Sequence, residues 1–310
     1  MANDAKVERV LAATDFSENA QGAIDWAAEV ARRHGACLEL FHALQAPPLV
    51  VAPEIVPVPA EFYERDREHA QRLLDERASA LRATGLSVDV SLRSGAASDA
   101  IVAEAARADV DLVVVGARGT TVLERLFLGS VAAHVVRDAT CPVLAVPPDQ
   151  AGAHRPIRRL LVPTDFSDDA KRAVEAAVTI LGPAAEDKKV VLLHVWSVPR
   201  GVGLGWPASG IEPDLTGFVQ GARRQLEEAA RPLRAAGFDV ETKELEGEPA
   251  HTIDDEARAV DADLLAMGTH GRSGLKRLFF GSVAERVLPS APCAVLTVRR
   301  PDESPEEGKR

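Results

Sequence analysis

Two glycine-rich stretches have the residue types and spacing to hold a phosphate group. Gly268-Thr269-His270-Gly271 is followed by nine residues and then Gly281-Ser282, and Gly116-Ala117-Arg118-Gly119 by nine residues and then Gly129-Ser130. Each stretch follows an apolar run, Asp263 to Met267 or Asp111 to Val115, and precedes an amphipathic one, Val283 to Leu288 or Val131 to Val136. The expected order is a buried strand, a glycine loop, Gly-Ser and a helix. Glycines at a strand end let the backbone come close to a ligand. A helix starting at Gly-Ser offers unpaired N–H groups and the positive end of its dipole, which suits an anion. A second pair of strings, Thr14-Asp15-Phe16-Ser17 and Thr164-Asp165-Phe166-Ser167, places a carboxylate after another apolar run in each half. On its own such an aspartate reads as a solvated acid near a helix start; the repetition and the glycine loops favour a site.

These strings are parts of an internal repeat, and the repeat sets the architecture. Val10 to Ser17 returns as Leu160 to Ser167, and from His42 and His194 through Cys141 and Cys293 the two halves stay in step with a net insertion before Val190. In the first copy, Val7 to Ala13 reads as a strand and Ser17 as the cap of a helix carrying Ile24, Ala27, Ala28 and Ala31 at helical spacing, stopped by Gly35. Cys37 to Ala43 is a second strand. The stretch from Gln45 to Pro59 is too rich in proline for a helix or central strand and reads as a long loop. A helix over about Ala60 to Ala83 ends at Gly85. Then come a strand over Leu86 to Leu92, a helix over Ser98 to Arg107 packing Ile101, Val102 and Ala105, and strands at Val110 to Val115 and Val143 to Val146.

Strands alternating with helices and apolar nearly throughout predict a parallel sheet covered on both faces. The fold class is α/β: two tandem doubly wound, Rossmann-like domains of five strands each. They are expected over residues 1–148 and 157–300, with a linker at 149–156 and a disordered tail at 301–310. In such a domain ligands bind at the carboxyl ends of the strands, where the winding reverses. Asp15 ends the first strand and Gly116 the fourth, so both belong on that rim.

With 310 residues the chain has room for two cores of this size. A net charge of −11 argues against nucleic-acid or anionic-membrane partners, which need a basic surface. No run has transmembrane length, and Met1 to Lys6 lacks a secretory pattern, so a cytoplasmic protein is expected. Cys37, Cys141 and Cys293 form no metal-spaced set and read as buried reduced thiols.

Thr-Asp-Phe-Ser after the first strand, together with the glycine spacing, resembles the universal stress protein family in its tandem form. That resemblance implies ATP, with Mg2+, in each domain. Asp15 and Asp165, beside Thr14 and Thr164, would meet the adenine with the backbone at Ala43 and Val195. Gly116, Gly119, Gly268 and Gly271 would border ribose and phosphates. Gly129-Ser130-Val131 and Gly281-Ser282-Val283 would hold the phosphates. The first copy departs further from the family pattern: Ala13 replaces the proline seen at Pro163, and nothing matches Gly274 and Lys276.

The resemblance also implies pairing of domains along their last strands, here as an internal pseudo-dimer or between chains, and a protein partner. Ser130 and Ser282 could equally cap their helices. His42 and His194 read as satisfied structural histidines, and His270 has Arg118 as its counterpart, which argues against a shared catalytic role. Gly201 to Gly205 lacks the lysine of a phosphate-binding loop and reads as a mobile loop. No nucleophile elbow, zinc motif or kinase set is present. The leading reading is therefore an ATP-binding stress-response regulator. A slow ATPase or self-phosphorylating enzyme using Ser130 or Ser282, and an interaction module with degenerate sites, stand as alternatives.

Overall fold

The structure, a computed structural model, describes residues 6–45, 60–117, 128–148, 157–185, 187–197, 216–269 and 281–299. The proline-rich loop after Gln45, Gly119, Gly271, the linker, the loop at Gly201 to Gly205 and the tail lie outside the described residues. Two compact units are present, one built chiefly from residues 4–155 and the other from residues 156–295.

The first unit runs β1 (Arg9–Ala13), α1 (Glu18–His34), β2 (Cys37–Leu44), α2 (Ala60–Ala83), β3 (Ser87–Ser94), α3 (Ala97–Arg107), β4 (Leu112–Gly116), α4 (Ser130–Asp138) and β5 (Val143–Val146). Its strand order is β3-β2-β1-β4-β5, with every pair parallel. The second unit repeats the plan: β6 (Arg159–Pro163), α5 (Asp168–Leu181), β7 (Lys189–Trp196), α6 (Thr216–Ala235), β8 (Asp239–Glu246), α7 (Pro249–Ala259), β9 (Leu264–Gly268), α8 (Ser282–Ser290) and β10 (Ala294–Val298). Its order is β10-β9-β6-β7-β8. The expected α/β class and duplication hold, with ten strands among the described residues. Among the described residues no helix is long and apolar enough to cross a membrane.

Local chemistry explains the elements. Val10, Leu11 and Ala12 are fully buried because β1 is central and covered on both faces. Ser17 Oγ accepts the Ala20 N–H at 3.2 Å, which caps α1, and Gly35 ends it in the left-handed conformation at φ 64°. Small residues such as Ala23, Ala27 and Ala31 let α1 lie close on the sheet. The insertion between the copies is absorbed at the end of α5, which has 14 residues against 17 in α1. The longer turn there is tied down by Lys188 Nζ, which donates to the carbonyls of Leu181 and Pro183 at 2.7 Å each.

Two expectations need correction. Val102 is only half-buried, and α3 instead buries Glu104, 2% exposed. Cys37 and Cys141 are also half-buried, not buried, although all three cysteines are free. Burial pushes the Cys141 thiol up to about 11 and the Cys293 thiol up to about 12, so both stay protonated near neutrality.

Glu104 belongs to a polar cluster between α3 and the sheet. It accepts from Ser91 Oγ at 3.1 Å, Arg93 Nε at 2.9 Å and Arg107 Nε at 3.1 Å, and its carboxyl meets that of Glu39, 3% exposed. Burial, reinforced by the neighbouring Glu104, pushes Glu39 up to about 7; the Arg107 hydrogen bond, followed by Arg93, holds Glu104 down to about 2. The second copy has no such pair, because Val191 replaces Glu39 and Lys243 replaces Ser91, donating to Glu256 at 2.5 Å.

The linkage has a definite sign. Between the ordinary carboxyl value of 4.5 and about 7, the folded first unit keeps a proton on Glu39 that the unfolded chain releases. Its stability therefore falls as pH rises through that window. Glu104 works oppositely, losing its contribution as pH drops from 4.5 toward about 2. Glu39→Gln is expected to flatten the upper limb: thermal melts of the parent should lose several degrees across that window, and those of the variant should not. An equal fall in both would exclude Glu39 as the titrating group.

Candidate functional site

At the end of β1 the chain stays beside β2 for one more residue, with the Thr14 N–H donating to the Phe41 carbonyl at 2.9 Å. It then turns sharply. Thr14 Oγ1 accepts the Phe16 N–H at 3.0 Å, and Asp15 Oδ1 accepts the Ser17 N–H at 2.9 Å. Phe16 is forced to φ 65°, a conformation that disfavours a side chain. The ring compensates by lying on His42, centroids 4.4 Å apart, while His42 Nδ1 bonds the Thr14 carbonyl at 2.7 Å. His42 is thus a structural residue of the turn. Its result is to hold Asp15 exposed on the rim.

The second copy builds the same turn. Phe166 has φ 65°, Thr164 and Asp165 accept the equivalent N–H groups at 3.0 Å each, and His194 bonds the Thr164 carbonyl at 2.8 Å.

Opposite this turn stands the glycine motif. Strand order places β4 next to β1, so Gly116 and Asp15 flank the point where the winding reverses. The Gly129 N–H donates to the Ala117 carbonyl at 2.9 Å, and Gly281 to Thr269 at 2.7 Å. Each glycine loop is therefore closed at its base, and the helix start is brought back to the strand end. Gly129 is the N-cap of α4 and Gly281 that of α8, and neither helix has a side-chain cap. Ser130 and Ser282 are the first helical residues; the capping role open to them in the sequence is not the one they take. The first-turn amides and the positive end of each dipole instead face the strand ends.

Between turn and motif lies a cleft of about 890 Å3, large enough for a cofactor-sized ligand. Thr14, Asp15, Ala43, Gly116, Gly129, Ser130 and Val131 all line it. Thr164, Asp165, Val195, Gly268, Gly281, Ser282 and Val283 are their counterparts in the second unit by the repeat. Gly119 and Gly271 lie outside the described residues. Sequence reasoning missed Leu44, Asp66, His69 and Ile101, which also line the first cleft. They come from the end of β2 and from α2 and α3, and no local motif marks them; aligning the two copies would have shown where they differ.

The glycines themselves are not equivalent. A Cβ on Gly116 would meet nothing nearer than Asn19 O at 3.7 Å, an ordinary contact. A Cβ on Gly268 would come to 2.9 Å from Asp169 Cβ and 3.0 Å from its carbonyl carbon. Gly268 is therefore required by the close approach of α5 to β9, whatever else it does.

Comparisons with known proteins agree with this architecture. The model of the universal stress protein family matches residues 6–147 and again residues 156–299. A universal stress protein of Mycolicibacterium smegmatis is 30% identical over 299 residues, covering 94% of this chain and 96% of that one. The universal stress protein MJ0531 of Methanocaldococcus jannaschii is 36% identical over 146 residues, covering 46% of this chain and 83% of the relative. The crystal structure of a universal stress protein from Archaeoglobus fulgidus superposes with a TM-score of 0.70 at 21% identity, covering 95% of this chain and 99% of that one, a likeness of fold. On the double match of its family model, and on a relative similar from end to end, this chain belongs to the universal stress protein family.

Proposed function

We propose that each copy binds ATP in the crevice between its Thr-Asp-Phe-Ser turn and its glycine motif, and that the chain is a nucleotide-dependent regulator of the stress response. The observation that carries this reading is the uncapped start of α4 at Gly129-Ser130-Val131, opening onto the cleft opposite Asp15. Backbone amides and the helix dipole there suit phosphates. Asp15 offers a carboxylate for the amino or hydroxyl donors of a nucleoside. Thr14, Ala43 and Gly116 shape the wall between them, and Gly119 belongs to the same proposal. In the second copy the roles pass to Thr164, Asp165, Val195, Gly268, Gly271, Gly281, Ser282 and Val283.

Mg2+ would arrive on the phosphates. Among the described residues no group of three His, Cys, Asp or Glu side chains is arranged to hold a metal. His42, engaged with the Thr14 carbonyl, supports a binding role over a catalytic one. A protein partner that reads nucleotide occupancy, and an internal pairing of the two copies, are parts of the same proposal. Affinity capture with and without ATP, alongside small-angle scattering of the full chain, tests them; identical results in both states would count against regulation by occupancy.

The direct test is calorimetric titration of the full chain with Mg-ATP, expected to saturate at two nucleotides per chain. A hundredfold excess over the dissociation constant should stabilise each unit by about 2.7 kcal/mol. Saturation at one would assign function to a single copy, and no binding would remove the proposal.

A further inference from the structure

The repeat allows the second unit to be matched to the first, and so to the residues that line its cleft, position by position. β2 pairs with β3 and β7 with β8 in one register, Leu44 opposite Ser94 and Trp196 opposite Glu246, so Trp196 stands where Leu44 does. The helices agree: α2 buries Ala70, Leu74 and Ala78, and α6 buries Ala222, Leu226 and Ala230 at the same spacing. Phe218 therefore stands where Asp66 does. Leu44 and Asp66 both line the first cleft. In the second copy both positions are aromatic.

The aromatic pair is built as a unit. The two rings meet edge to face with centroids 5.9 Å apart. The Trp196 indole N–H donates to Glu244, whose other carboxylate oxygen accepts from Arg223 Nε at 3.0 Å. The first copy has Leu92 and Gln71 at those two positions, so it lacks the support as well as the rings. Satisfying the indole N–H fixes the tryptophan and leaves its ring surface as the feature on offer. Phe218 remains 52% exposed, an uncommon state for a phenylalanine, and among the described residues its ring contact is the edge-to-face one with Trp196. A nucleobase is the flat, π-faced partner that such rings take, and stacking tolerates any base.

We propose that Trp196 and Phe218 form a stacking platform for the base of the nucleotide, one ring lying on the face of the base and the other, set edge to face with it, bounding the base at its edge, which makes the second copy the tighter and more base-dependent of the two sites. This rests on the nucleotide reading above. The first copy lacks the platform.

The test uses the full chain, with ATP and inorganic tripolyphosphate as titrants, and the variant Trp196→Leu/Phe218→Asp, which installs the first copy's residues. The parent should show two classes of ATP site. In the variant one class should weaken about tenfold, while the other class and the response to tripolyphosphate stay unchanged. Phe218→Ala, which removes a half-exposed ring and leaves the core intact, should give part of the same loss, and Phe218→Tyr should restore it. ATP should quench the fluorescence that Trp196 contributes to the parent, and tripolyphosphate should not. Unchanged ATP affinity in both classes overturns the platform and leaves the nucleotide reading standing. Equal weakening toward tripolyphosphate also overturns it, because the loss would not involve the base. A parent that binds no ATP ends both proposals, and that titration is made first.

Discussion

Ser130→Pro should weaken ATP binding in the first copy at least about tenfold while leaving the unit as stable as the parent. Ser130 is the first residue of α4, where proline is well tolerated because its fixed φ suits the helix and the lost N–H has no intrahelical partner. The preceding Gly129, at φ −58° and ψ 143°, already has the extended conformation that a residue before proline prefers. What the substitution removes is one amide aimed at the proposed phosphate, together with the hydroxyl. A hydrogen bond to a charged group contributes about 1.5–3 kcal/mol, which sets the expected loss at tenfold or more. Ser130→Ala separates the two contributions, since it removes only the hydroxyl. Ser282→Pro is the matching change in the second copy. If calorimetry finds the proline variants binding ATP as tightly as the parent, these helix starts do not hold the phosphate.

Much of the candidate site's geometry could be read from the chain because the groups proposed to hold phosphate are backbone amides placed by short local strings. A glycine-serine at a helix start and a Thr-Asp-Phe-Ser turn each specify their own geometry, and the repeat shows that both belong to one plan. The repeat also implies that β2 on β3 and β7 on β8 share one register, which the structure shows. Other features depend on partners distant in sequence. Glu104 stands three residues after Ile101 on the buried face of α3, where a carboxylate is not expected, and it is accommodated there because Ser91 and Arg93 on β3 and Arg107 on its own helix satisfy it. Asp66 and His69 reach the first cleft only because α2 packs on β2 and β3. The left-handed Phe16 is the least legible of all. Such a φ normally announces glycine or asparagine, and costs about 1–3 kcal/mol in other residues. Here the Thr14 hydroxyl and the His42 ring hold it in place.

The turn and the cluster also show how two copies of one fold diverge. Both copies keep the strained turn with its histidine, down to the same φ of 65° at Phe16 and Phe166. The surroundings have changed around it. Arg77 stacks over the Phe16 ring at 5.8 Å and donates to the Phe16 carbonyl, and the second copy has Ala229 in its place. The buried carboxyl pair of the first unit becomes a lysine–glutamate ion pair in the second. The part that aims Asp15 and Asp165 at the rim is held fixed. The parts that set the local charge and the response to pH differ, so the two sites need not answer alike to one change in conditions.

The two strand-end glycines should separate packing from binding. Gly268→Ala is expected to destabilise the second unit by about 1–3 kcal/mol, the usual effect of forcing a methyl into filled space, and to lower its melting midpoint by several degrees. The Cβ would fall 2.9 Å from Asp169 Cβ and 3.3 Å from the Ala170 N–H nitrogen, so α5 or β9 must shift. Gly116→Ala meets only Asn19 O at 3.7 Å and carries no left-handed φ. Restricting the unfolded chain, it should leave the first unit equally stable or raise its stability by about 0.4–1 kcal/mol. Its methyl nevertheless stands on the wall of the cleft. If ribose or phosphate passes close to that wall, Gly116→Ala will weaken ATP binding in a unit that melts no lower than the parent, which a purely structural glycine could not do. Scanning calorimetry of each variant with and without ATP reads both effects. Equal stability losses from the two substitutions would contradict the packing difference, and unchanged affinity in Gly116→Ala would place the ligand away from β4.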